Sequence, residues 1–218
     1  MGKILLCGSD KGGVGKTTTA INTGVMLDGS GIKVIFLKSD INPDLTNWGE
    51  RRKSQGLSEI PIYEAYGNIA KQILRLAAQC DVLIVDCAGH DSEAFRSALT
   101  VADILLTFVK PSSMFEKDTL TSLTETVRKA QAKGNPGLKP WVLFTRVKPN
   151  KVRAAVELDA ELRSDSIWIQ PLRSRISELD VFENACNMGA GVHDVARGPS
   201  LSKAKAQLEL MAQEIGLI

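Results

Sequence analysis

A doubly wound α/β domain, with a mostly parallel sheet flanked by helices on both faces, is predicted by three features of the chain. Its short apolar runs are continuous rather than alternating, as strands buried on both sides require. Patterns of helical period separate those runs, so strand and helix alternate along the sequence. A glycine-rich segment ending in Lys16-Thr17 follows the first run directly, the place where a strand-to-helix turn can bind an anion.

The expected strands are Lys3–Cys7, Lys33–Leu37, Asp81–Val85, Asp103–Val109, Trp141–Thr145 and Ile167–Ile169, with a weaker run at Ile60–Ala65. Between them, Leu120, Leu123, Val127 and Ala130 fall on one helical face, and Ser113 with Glu116 forms a capping-box pattern after Pro111. Leu201, Ala204, Leu208, Met211 and Ile215 make a second stripe near the C-terminus. No repeat, low-complexity segment or long linker interrupts the pattern, so the 218 residues are expected to form a single domain, 1–218. Ligands are expected at the carboxyl ends of the strands.

Composition narrows the function classes. With 44% hydrophobic and 24% charged residues the chain is of globular type, and a net charge of +2 provides no global basic field for nucleic acid. Cys7, Cys80, Cys87 and Cys186 form no C-x-x-C pair and read as reduced, buried thiols of a cytosolic protein. No signal peptide is visible and no apolar stretch approaches the ~20 residues of a membrane span. His90 and His193 lack ligand spacing, so neither receives a role.

The most informative segment is Lys11-Gly12-Gly13-Val14-Gly15-Lys16-Thr17-Thr18. Glycines let successive N–H groups converge into an anion nest, and the following helix adds the positive end of its dipole. Lys16 is placed to reach the β- and γ-phosphates of a nucleotide, and the Thr17 hydroxyl to ligate Mg²⁺. Asp10 stands where the first glycine of the ordinary G-x-x-x-x-G-K-[ST] pattern belongs. The form that fits is K-G-G-x-G-K-[ST]-T, with a second lysine at its start.

That motif resembles the deviant Walker-A loop of the ParA/MinD (SIMIBI) ATPases. The resemblance implies that Lys11 crosses to a partner subunit and touches its phosphates, so that ATP is buried between two protomers and the homodimer depends on nucleotide. Asp86, exposed after the run Val82–Val85, resembles a Walker-B aspartate that holds Mg²⁺ through water. Family members carry D-x-D-P-Q after their second strand, where this chain reads Lys38-Ser39-Asp40-Ile41-Asn42-Pro43-Asp44. Without a gap, Asp40 matches the second aspartate and Lys38 replaces the first; a two-residue shift keeps Asp40 as the acidic switch residue. Asp40 is expected to position the attacking water and to touch Mg²⁺ through water, whereas Lys38 either strengthens nucleotide binding or slows hydrolysis.

The segment Leu45-Thr46-Asn47-Trp48 resembles the small ParF-like plasmid partition ATPases. In ParA-like proteins the loops matching Pro111 and Thr145-Arg146 flank the nucleotide base. Arginines in the stretch matching Arg173 and Arg175, extended by Lys203 and Lys205, imply sequence-independent DNA binding by the ATP dimer. The implied function is therefore a cytoplasmic ATPase, nucleoid-associated when bound to ATP, that segregates plasmid or chromosomal DNA with a ParB-like or small DNA-binding adaptor. Its first strand starts at Lys3, leaving no room for the helix-turn-helix extension of repressor-type ParA proteins. Alternatives are a ParA-like ATPase that positions a non-DNA cargo and a MinD-like membrane-cycling ATPase. The terminal stripe reads as a core face, so stable membrane association is not expected. An iron–sulfur relative lacks its second bridging cysteine, and a tyrosine-kinase relative lacks its tyrosine-rich tail.

Overall fold

The computed structural model describes residues 1–9, 12–89, 92–111, 115–148, 150 and 152–218, with backbone alone at 115–118. The chain runs β1 (Lys3–Gly8), α1 (Lys16–Gly29), β2 (Val34–Ser39), α2 (Asp44–Ser54), β3 (Ile62–Glu64), α3 (Ala70–Ala77), β4 (Val82–Cys87) and α4 (Glu93–Leu99). It continues through β5 (Ile104–Val109), α5 (Phe115–Lys133), β6 (Lys139–Val147), α6 (Val152–Arg163), β7 (Pro171–Ser177), α7 (Asp180–Asn187) and α8 (Leu201–Glu214). The strands form one seven-stranded sheet, ordered β3-β2-β4-β1-β5-β6-β7, in which every pairing is parallel. All carboxyl ends therefore lie along one edge. The order reverses at β1, which places the β1–α1 turn at the central crevice of that edge.

Strand alternation sorts the apolar runs into two cores. Leu5, Val34, Phe36, Val82 and Ile84 face α1, α7 and α8, whereas Ile4, Leu6, Ile35, Leu37, Leu83 and Val85 face α3 and α4. Helix α1 is buried from Thr19 to Leu27. Gly24 makes this possible, because a Cβ there would lie 2.3 Å from Phe36 Cζ. In α5, Leu120, Leu123 and Val127 are buried with Ala130 packed beside them. The Ser113–Glu116 cap lies outside the described residues and side chains.

The α8 stripe of Leu201, Ala204, Leu208, Met211 and Ile215 is buried in the first core, so its apolar face is committed to packing rather than to a bilayer surface. No helix among the described residues is long and apolar enough to cross a membrane.

The last strand departs from the sequence expectation. Ile167–Ile169 is a turn, because the Asp165 carboxylate accepts the Ile167 N–H at 2.9 Å and the Asp165 carbonyl accepts from Trp168. The strand follows instead at Pro171–Ser177, where the arginine-rich sequence of an edge strand hid it. Its pairing with β6 is irregular: β6 advances two residues from Val142 to Phe144 while β7 advances four, from Pro171 to Arg175. The bulge frees the consecutive N–H groups of Arg173 and Ser174, and both donate to the Glu214 carboxylate, at 2.7 and 2.9 Å. Gln207 accepts the Ser177 N–H at 3.0 Å. Side chains of α8 thereby cap an edge that would otherwise be open to another strand.

Partial burial acts to raise the Glu214 carboxyl, but the two amides, the Ser174 hydroxyl and the Arg173 charge outweigh it and hold its pKa below the usual value. A lowered folded-state pKa gives stability that is present above the unfolded carboxyl pKa, about 4.3, and is lost as pH falls through the folded value. Glu214→Gln is expected to melt below the wild type at pH 7, with the gap closing below about pH 4. Thermal melts at several pH values check this.

Candidate functional site

The turn between β1 and α1 is shaped by two left-handed residues, Gly13 (φ 74°) and Gly15 (φ 87°), a region that side chains with a Cβ enter only at a cost. Gly15 is also the N-cap of α1 and offers no side-chain cap, which leaves the first helical N–H groups available to an anion. Val14, 4% exposed, is anchored in the core. Its carbonyl accepts from the Thr145 hydroxyl at 2.7 Å, and the Gly13 carbonyl accepts from the Arg146 guanidinium at 2.8 Å. Tying these oxygens to β6 leaves the N–H groups of the loop for phosphate. Lys11 lies outside the described residues.

Lys16 and Thr17 open α1 at the carboxyl end of β4. The Lys16 ammonium is ion-paired with Asp86 and lies 3.5 Å from Asp40, and the Thr17 hydroxyl donates to the other Asp86 oxygen at 2.8 Å. Asp86 is 2% exposed, not exposed as the strand-end position suggests, because α1 closes over it. Burial acts to lower the Lys16 pKa; Asp86 and then Asp40 more than compensate and raise it. One cation, one hydroxyl and two carboxylates thus meet where β1, β2 and β4 end. Thr17 and Asp86 provide hard oxygen donors on one spot, a set that fits Mg²⁺ sharing the rest of its shell with phosphate and water.

Asp40 begins a linked pair of turns. Its carboxylate accepts the Asn42 N–H at 3.0 Å, and the Asn42 side chain accepts the Asp44 N–H at 3.1 Å at the start of α2. Lys38, by contrast, does not turn toward Asp86, its partner across the β2–β4 register. Its ammonium meets Glu64 at 3.2 Å and the Tyr66 hydroxyl at 3.3 Å. Neither effect expected of Lys38 on the phosphate site has a contact behind it.

The end of β6 carries a further constellation. Arg146 has φ 51°, left-handed and unusual for a residue with a side chain. Besides Gly13, its guanidinium reaches Glu183 and lies 3.6 Å from Glu178. Beside it opens a cavity of about 120 Å³, lined among others by Gly15, Thr18, Thr145, Ile176, Glu178 and Phe182. Pro111 is buried at the end of β5 and does not line this cavity.

The four residues expected to contact DNA do not form one cluster. Arg173 stands on β7 beside Glu214, while Lys203 and Lys205 lie near the start of α8, and the Lys205 ammonium is bound to the Val195 carbonyl. From residue 203 to residue 214 the helix rises about 16 Å. Arg175 lies between them, half-buried. The four cysteines are free, and burial pushes Cys87 up to about 11, as expected of inert thiols. Among the described residues no group of three metal-binding side chains occurs.

Sequence reasoning did not find Glu178, Glu183 or the anchoring role of Thr145. Their signal is tertiary, since they meet the loop only once β5 pairs with β1 and carries β6 and β7 to that side of the sheet. Nor does any local pattern announce the Lys16–Asp86 pair.

Removing Lys16 strands a buried carboxylate. Lys16→Ala is expected to lose on the order of 3 kcal/mol of nucleotide-free stability, and Asp86→Asn in the same chain to restore most of it. Urea titrations of the three proteins check this coupling.

Residues 5–181 match the CobQ/CobB/MinD/ParA nucleotide binding domain. The chain is 27% identical over 205 residues to the maintenance of carboxysome distribution protein A of Gloeobacter kilaueensis, covering 94% of this chain and 90% of that one. It is 32% identical over 115 residues to protein ParA of Rhizobium radiobacter, covering 51% and 50% of the two chains. The ATP complex of a single-substitution variant of Cyanothece McdA superposes with a TM-score of 0.77 at 18% identity, over 99% of this chain and 96% of that one. With its glycine loop, its Lys16–Thr17–Asp86 cluster and this match over most of its length, the chain belongs to the ParA/MinD family of P-loop ATPases.

Proposed function

We propose that the protein is an ATP-driven positioning switch, which dimerises around ATP–Mg²⁺ and hydrolyses it slowly. The observation that carries this reading is the sharing of one carboxylate, Asp86, by Lys16 and Thr17. Lys16 exchanges Asp86 for the β- and γ-phosphates, and the N–H groups from Gly12 to Thr18 surround the same charge. Thr17, with Asp86 through water, would hold Mg²⁺, which would supply neutralisation of the phosphate charge. Asp40, 3.5 Å from Lys16, orients the attacking water. Lys11 reaches the partner's phosphates and makes the dimer nucleotide-dependent. The cavity beside Arg146 and Thr145 takes the base.

In the full cycle, the ATP dimer binds DNA without sequence preference through Arg173, Arg175, Lys203 and Lys205, and a ParB-like or small adaptor carrying the cargo stimulates hydrolysis. Plasmid or chromosomal DNA is the cargo of the first reading. A second reading, a non-DNA assembly as cargo, is favoured by the carboxysome-distribution relative, whose similarity runs over 94% of the chain. Both share the same switch.

Light scattering after size exclusion is expected to give a dimer with ATP–Mg²⁺ and a monomer with ADP, and only a monomer for Lys11→Ala. Asp40→Ala is expected to retain the ATP dimer while hydrolysis falls about 100-fold. A monomer in every state, with ATP demonstrably bound, would refute the sandwich. DNA retardation that persists unchanged from low to high salt would refute phosphate-mediated DNA binding.

A further inference from the structure

Lys38 is the residue that the proposed cycle leaves without a task, although it lies in β2 only two positions before Asp40 and is 4% exposed. A buried lysine needs a counter-charge, and this one has a defined set. The ammonium is 3.2 Å from Glu64 Oε1, 3.3 Å from the Tyr66 hydroxyl and 5.9 Å from the centre of the Tyr66 ring. The Tyr66 hydroxyl in turn donates to Glu64 Oε2 at 3.1 Å, and the Thr46 hydroxyl of α2 donates to Oε1 at 2.9 Å. Main-chain bonding adds to this, with the Lys38 carbonyl accepting the Ala65 N–H at 3.1 Å.

These contacts make a closed circuit around Asp40. On one side the chain passes from Lys38 through Asp40 and the linked turns at Asn42 and Asp44 to Thr46. On the other, Thr46 returns to Lys38 through Glu64. Among the described residues, Asp40 is attached to the phosphate loop by the long 3.5 Å contact with Lys16, which a nucleotide would take away. The circuit then holds the carboxylate in place. Spending the Lys38 charge on Glu64 also keeps it from competing with Lys16 for Asp86, its register neighbour.

We propose that Lys38 is a positioning residue for hydrolysis, which through Glu64 and Thr46 fixes the segment carrying Asp40 and does not itself touch nucleotide. The inference rests on the proposed ATPase cycle for its catalytic consequence, but its structural core stands apart from it. Lys38 then supplies support, with the acidic chemistry left to Asp40.

The test uses the full chain as wild type, Lys38→Met, Lys38→Arg, Glu64→Gln and the Lys38→Met/Glu64→Gln double variant. Amide hydrogen exchange without nucleotide is read over residues 40–48 and, as a control, 12–24; steady-state ATP turnover is read separately. Lys38→Met and Glu64→Gln are expected to speed exchange over 40–48 and not over 12–24. Turnover is expected to fall about tenfold with KM within about twofold. The double variant should be no worse than either single one, and Lys38→Arg, which keeps the cation, should recover both readouts. Unchanged exchange over 40–48, a loss carried by KM alone, or Lys38→Arg behaving as Lys38→Met overturns the proposal. An inactive wild type would overturn the proposed function instead, and exchange alone would then decide the role of Lys38.

Discussion

A buried carboxylate in a parallel sheet has to be compensated, and in this protein the compensation of Asp86 organises everything around it. Asp86 lies one residue before the end of β4, the strand next to β1, and is almost wholly shielded from water, where an unpartnered charge would cost several kcal/mol. Lys16 and Thr17 supply its partners from the first turn of α1. The same two side chains are the ones a phosphate–Mg²⁺ group needs. In the proposed cycle, ligand binding has to rearrange this interaction, which would make the site a switch as well as a binding pocket.

The surrounding elements keep that rearrangement local. Val14 is rooted in the core, and Thr145 and Arg146 hold the loop carbonyls from the β6 side. On the far side, Lys38, Glu64 and Thr46 brace the segment that carries Asp40. Helix α2 is braced further along. Arg52, 3% exposed, pairs with Asp194 and stacks over Trp48, whose indole N–H donates to the Ala190 carbonyl. Asn22 of α1 accepts the Val192 N–H from the same loop. Both helices that follow a candidate nucleotide-sensing segment thus lean on residues 189–195, so a change at either segment meets a common support.

Much of this was legible in the sequence because the strongest signals are local. Continuous apolar runs identify the six longer strands apart from β7, and Gly12–Thr18 announces its own conformation, since its glycines and Lys-Thr ending serve little else. Helix stripes such as Leu201 to Ile215 correctly marked core faces. What stayed hidden is nonlocal or masked by composition. β7 carries two arginines and a bulge and owes its place to Glu214 and Gln207 from another helix, so neither period nor hydrophobicity reveals it. The burial of Asp86 and the direction of Lys38 depend on which neighbour wins a charge, and strand patterning contains no information on that choice. Glu178 and Glu183 meet Arg146 only through sheet order.

The claim at the centre of this account is that Asp86 holds Lys16 until phosphate takes over Lys16 and Mg²⁺ takes over Asp86. Calorimetric titration of wild type and Asp86→Asn with ATP, each with and without Mg²⁺, tests it most directly. The account predicts that Asp86→Asn binds Mg²⁺-free ATP more tightly than wild type, by about tenfold or more, because Lys16 is already released, and that added Mg²⁺ brings it little further gain. Equal affinity for Mg²⁺-free ATP in the two proteins, with the same Mg²⁺ enhancement in both, would contradict it.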